Sequence, residues 1–123
     1  MHFITDRKRA VGLGSARSGT AHHWSMTVSS VGLIVLVPLF VLIFGSALGS
    51  SHEEVVATFS RPVPAVVTLL TFWVGMTHFR RGAQVMIEDY TDGITRKAAI
   101  AVMSGASYAI MAAALYAVVR IAI

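Results

Sequence analysis

The chain has 123 residues, of which 55% are hydrophobic, 13% are charged and none is cysteine, with a formal net charge of +4. A soluble domain is about a quarter charged and, at this length, cannot hide so much apolar surface, so an ordinary soluble fold is excluded and one membrane-embedded domain is expected. The missing thiols exclude a disulfide framework, thiolate metal sites, iron–sulfur ligation by this chain and cysteine nucleophiles, and the basic residues fall at the ends of apolar spans, where they act as topology signals rather than as a nucleic-acid footprint.

Residues 1–23 read as a cytoplasmic tail: basic, polar, and rich in glycine and serine, with little helix propensity. Asp6, Arg7, Lys8 and Arg9 are followed by no apolar h-region, so no signal peptide is expected. The long amphipathic pattern of an organellar transit peptide is also missing, which favours a bacterial inner membrane. The first span is expected over residues 24–48, with Trp24 anchoring its entry. It is apolar from Val31 to Phe44 apart from Gly32 and Pro38, and Pro38 should kink it. A periplasmic loop, 49–62, follows, with a short interfacial helix expected over Val55–Phe59. Pro62 and Pro64 suit the first turn of the next helix.

The second span is expected over residues 63–87, a cytoplasmic loop over 88–96 turning at Asp92-Gly93, and the third span over 97–121. Small residues crowd the third span, among them Ala98, Ala101, Gly105, Ala109 and Ala112, and should let a neighbouring helix approach closely. The fold class is therefore all-α, an integral membrane protein with three transmembrane helices. Arg7, Lys8, Arg9, Arg17, Arg96 and Lys97 fall on one side of this layout, with Arg80 and Arg81 in that half of span two. The other side has only Arg61 and Arg120 beside Glu53 and Glu54, so the N-terminus is expected in the cytoplasm and the C-terminus in the periplasm.

His78 lies deep in span two. An ionisable side chain at that depth costs about 2.5–3.5 kcal/mol or more and is a functional-site hypothesis by default. A neutral imidazole in apolar surroundings suits haem iron. Gly75 and Gly82 leave the helix face beside it almost bare, as a flat macrocycle or a close helix crossing would need. The competing reading is a histidine hydrogen-bonded to a neighbouring helix, and the pattern weighs the two evenly. Arg81, one turn on, could pair a haem propionate or snorkel to headgroups; Arg80 reads as snorkelling. Glu88, Asp89 and Tyr90 end the span, about 18 Å beyond His78 along the axis. A phenol there can donate to a quinone carbonyl with a carboxylate beside it, while the residues alone favour the plainer reading, an interfacial tyrosine followed by a solvated acidic turn. His22 and His23 read as interfacial, one of them reaching a polar pocket or a propionate, and no phosphate loop or hydrolase motif is present.

From His78 through Gly82 and Gln84 to Asp89 and Tyr90, the chain resembles the hydrophobic D-type membrane anchor of bacterial succinate dehydrogenase, respiratory complex II. That family has histidine, glycine four later, then Asp-Tyr. The stretch Gly14-Ser15-Ala16-Arg17-Ser18-Gly19-Thr20 with His22 and Trp24 is similar to the family as well. The resemblance implies that His78 is an axial ligand of haem b shared with a companion C-type anchor. It implies that Tyr90, beside Asp89, lies at the ubiquinone pocket, and that the flavoprotein and iron–sulfur subunits dock on the cytoplasmic face. The chain itself would do no dicarboxylate chemistry and would not be catalytic alone. One departure is Thr27, where many relatives have an arginine; Arg81 could substitute. Two other readings are a cofactor-free structural or assembly subunit and a small homo-oligomeric channel subunit.

Overall fold

The structure, a computed structural model, describes residues 3–12 and 19–122. Arg17 and the Gly14–Ser18 part of the stretch quoted above lie outside the described residues. Every element among the described residues is helical: α1 (Asp6–Val11), α2 (Gly19–Ala47), α3 (His52–Phe59), α4 (Pro62–Tyr90) and α5 (Gly93–Ala122). Three of them, α2, α4 and α5, are long and apolar enough to cross a membrane.

Helix claims more of the chain than the expected spans did. The tail contains α1, because the Thr5 hydroxyl accepts from the Lys8 N–H at 3.2 Å. Asp6 sits in its first turn and Lys8 and Arg9 in its last, each complementing the helix dipole. The stretch from 88 to 96 is helical except at Thr91 and Asp92. There α4 stops where Thr91 folds back on Ile87 O through both its N–H and its hydroxyl, at 3.0 and 2.6 Å. Arg96 then bonds Thr91 O at 2.7 Å and pairs with Asp92 at 2.8 Å, and Gly93 takes φ +57°. Only glycine enters that left-handed region without strain, so the chain can reverse within three residues. Before α4, a capping box starts α3: Ser51 N–H donates to Glu54 Oε2 at 2.9 Å and Glu54 N–H to Ser51 Oγ at 3.3 Å. Pro62 fills the first turn of α4.

α4 is the middle helix. It packs against α2 on one side and α5 on the other, while α2 and α5 do not approach each other; α3 lies against all three. The α2–α4 register is antiparallel. Met26 lies by Gly82, Ser29 by His78, Leu33 by Gly75, and Phe40 packs edge-on to Phe72 with centroids 5.9 Å apart. Near Pro38, through which α2 stays helical, the Thr71 hydroxyl bonds its own helix at Val67 O, 2.7 Å, and reaches Leu36 O of α2 at 3.4 Å.

So thin a layer buries little of itself. The buried apolar residues are Ala47, Phe59, Ala65, Met111 and Val118, with Thr68 and Ser107 as buried polar ones. Lipid takes the place of a core here, since its tails solvate apolar faces as well as a partner helix would. The small residues of α5 divide between its two faces, and of them Ser107 is the one turned fully inward. Ser107, Met111 and Val118 are buried, while Ala98, Ala101, Gly105, Ala109 and Ala112 stay exposed on the opposite face. Ser107 closes on its own helix at Met103 O, 2.9 Å, and so presents no unpaired hydroxyl to α4.

Candidate functional site

The centre of the site is His78. α4 holds it half-buried against α2, and its Nδ1 lies 2.8 Å from Ser29 Oγ. Ser29 is itself tied to its own helix, with Ser25 O at 2.8 Å and Met26 O at 2.9 Å. His78 makes no other hydrogen bond among the described residues. The two glycines flanking it face α2. A Cβ at Gly75 would meet Leu33 at 3.8 Å, and one at Gly82 would meet Met26 at 3.6 Å. Both distances are ordinary van der Waals contacts, so the two positions face α2 and have room for a methyl group but for little more.

Arg80 and Arg81 point apart, as neighbours on a helix must. The Arg80 guanidinium lies over the Tyr108 ring of α5, 5.4 Å from its centroid, an attraction that sequence reading did not include. Arg81 faces a groove of about 660 Å³ between α2 and α4, lined by Trp24, Ser25, Val28, Ser29, Trp73 and Thr77 among others. At its polar end the groove meets a smaller cavity of about 300 Å³, where Arg81 gathers with His22, Ser25, Gln84 and Glu88. Gln84 donates to Glu88 there at 2.8 Å. His22 lines this polar cavity and also, with His23, a further cavity beside Gly82. Thr27 bonds only back to His23 O, at 3.0 Å, and takes no part in the groove.

Tyr90 and Asp89 are exposed at the end of α4, Tyr90 at 84%. Neither hydrogen-bonds the other or any further side chain among the described residues. The structure therefore brings His78, Ser29 and Arg81 into one neighbourhood and leaves Tyr90 and Asp89 apart from it, at the bundle end. Among the described residues no group of three His, Asp or Glu side chains is placed to hold a metal ion. A metal at His78 would need its other donors from elsewhere, as a porphyrin and a partner chain provide.

The groove residues that sequence reading missed are Ser29, Gln84 and Trp73. The signal for Ser29 was a hydroxyl in an otherwise apolar span, a common mark of an interhelical contact. Its partner becomes visible only with the α2–α4 register in hand.

Residues 1–120 match the succinate dehydrogenase/fumarate reductase transmembrane subunit family. The succinate dehydrogenase hydrophobic membrane anchor subunit of Paracoccus denitrificans is 56% identical over 100 residues, 81% of this chain and 78% of its own length. The protein of the same description from Rickettsia bellii is 32% identical over 89 residues, 72% of this chain and 70% of its own. No solved structure matches this chain.

Proposed function

The chain belongs to the succinate dehydrogenase/fumarate reductase transmembrane subunit family, and from that premise we propose that it anchors a bacterial succinate:quinone oxidoreductase in the inner membrane, where it helps to form a haem b site and a ubiquinone site. Its partners are a companion C-type anchor, the iron–sulfur subunit and the flavoprotein subunit. Succinate is oxidised on those soluble subunits, and this chain contributes the membrane end of the electron path. The charge distribution supports a cytoplasmic N-terminus, with Tyr90 on the same side and the C-terminus in the periplasm.

The observation that carries the haem reading is His78: mid-helix, half-buried, with one ring nitrogen held by Ser29 and the other without a hydrogen-bond partner among the described residues. The donor set fits a haem that takes one axial imidazole from each of two chains. Bound there, haem b supplies a one-electron carrier inside the bilayer. His78 would be this chain's ligand, and Arg81 the cation available to a propionate from the polar end of the groove. Gly75 and Gly82 face α2 on either side of the ring along α4. Tyr90 would donate its phenolic hydrogen to a quinone carbonyl, with Asp89 as the neighbouring carboxylate. Both are exposed in the lone chain, so the rest of that pocket's wall belongs to the partner subunits.

A second reading has its own support. The Ser29–His78 bond also suits a histidine that only ties α2 to α4 in a cofactor-free anchor. A channel is disfavoured, since the exposed residues of α2 are overwhelmingly apolar, as at Val31, Ile34, Val35 and Leu42. The test is a reduced-minus-oxidised visible spectrum of the complex purified through a tag on this chain. The expected result is a b-type α-band with co-purifying flavin, the band being lost in His78→Ala while flavin stays. Flavin without the band would leave the cofactor-free anchor, and neither flavin nor band would overturn the complex II assignment.

A further inference from the structure

The Ser29 hydroxyl has three close neighbours: Ser25 O at 2.8 Å, Met26 O at 2.9 Å and His78 Nδ1 at 2.8 Å. A serine hydroxyl has one hydrogen and two lone pairs. The two carbonyl oxygens have no hydrogen to give, so the hydroxyl hydrogen goes to them, in the back-bonded form usual for a helical serine. His78 Nδ1 then meets a lone pair, and it can do so only as an N–H donor. The hydrogen of the neutral ring is on Nδ1, and the free lone pair is on Nε2.

The geometry points to Ser29 as the positioning residue of this site: it fixes the tautomer and the ring plane of His78 and sets the strength of Nε2 as a ligand. The inference rests on the haem reading above and adds to it a residue that acts through His78. A ligand histidine depends on the acceptor of its second N–H in this way, and loss of such an acceptor costs roughly 10–100-fold in metal affinity or activity. The direction of the electronic effect follows. An acceptor on Nδ1–H makes Nε2 more basic, which favours the more positive, oxidised iron. Removing the acceptor raises the midpoint potential.

Ser30 provides the control. Its hydroxyl bonds Met26 O at 2.9 Å, one residue away in the same helix, and does not bond His78. Ser29→Ala, Ser29→Thr and Ser30→Ala would be made in the whole complex, with a redox titration of the α-band and the ferric low-spin electron paramagnetic resonance spectrum as readouts. For Ser29→Ala the expected result is a midpoint shifted upward, altered g values and weaker haem retention. Ser29→Thr, which keeps the acceptor, should restore all three, and Ser30→Ala should match wild type. Haem lost from Ser29→Ala but kept in Ser29→Thr would support the same role. Wild-type midpoint and g values in Ser29→Ala would overturn it, as would an equal change in Ser30→Ala or failure of all three variants to assemble. A wild-type complex with flavin but no α-band would instead fail the haem reading, before any variant is compared.

Discussion

Thr68 and Ser29 are both hydroxyl residues within spanning helices, and they are treated oppositely. Ser29 has three partners, whereas Thr68 is 7% exposed and its Oγ1 has no hydrogen-bond partner. It faces an apolar cavity of about 490 Å³ lined by Phe40, Phe59, Phe72 and Val118 among others. An unmatched buried polar group costs about 1–3 kcal/mol. Thr68→Val keeps the shape and removes the hydroxyl, so it should stabilise the purified complex by about 1 kcal/mol, read as a raised midpoint of thermal unfolding. The arginine pair makes a related point. Arg80 is held by the Tyr108 ring, so Tyr108→Leu should free it and cost about 0.5–1 kcal/mol in the same assay. At this scale His78 and Arg81 stood out in the sequence, because an ionisable group inside an apolar span is conspicuous without any structure. Ser29 did not: a serine in a membrane helix is commonplace, and what distinguishes this one is a partner 49 positions away.

Between helices, the two glycines of α4 face α2 across ordinary contact distances. At Gly82 an added Cβ meets Met26 Cε at 3.6 Å, an ordinary contact with the end of a flexible chain. Gly82→Ala should therefore be neutral or gain up to about 1 kcal/mol from helix propensity. Gly82→Leu should cost about 1–3 kcal/mol and weaken haem retention, because overpacking there pushes Ser29 away from His78. Thermal unfolding and the α-band together check both variants. The cap of α3 responds to pH. The Ser51 N–H bond, and then the Ser51 hydroxyl, hold the Glu54 carboxyl below its usual value against a small opposing effect of burial. A lowered folded value means that the cap's contribution is complete above the ordinary carboxylate range and is lost as pH falls through that lowered value. The protection factors of the Val55 and Val56 amides, taken relative to their intrinsic exchange at each pH, should accordingly fall on acidification, and Glu54→Gln should remove that fall. The number and type of long helices could be read from hydropathy alone, since apolar runs of this length have few alternatives. The inward face of α5 could not. Where lipid and neighbouring helix are equally apolar, periodicity does not say which face meets protein. The start of α4 at Pro62 and the turn at Asp92-Gly93 could be read as well, but not how far helix runs into 88–96, because a helix continues past the hydrocarbon until a cap such as Thr91 stops it.

For the molecule as a whole, the arrangement is a layer with α4 at its centre and two helices that never meet. Fusions test its orientation. A periplasm-dependent alkaline phosphatase placed after Ile121 should be active, and one placed after Asp92 should not, if the positive-inside side is the Tyr90 end. The reverse pattern would invert the proposed topology. The central place of α4 also governs how such a chain can be made. Of the three spans α4 is the least apolar, and α2 the most. As the chain is synthesised, α2 leaves the translocon first and settles in lipid without help, because its sequence demands nothing from a neighbour. α4 arrives next with a histidine, three threonines and two arginines to shelter, and finds α2 already waiting with the hydroxyl that meets His78. Only then does α5 have a surface to close on. The first helix is thus a built-in insertion partner for the second, and a defect in α2 should appear in the cell as an α4 that fails to stay in the membrane.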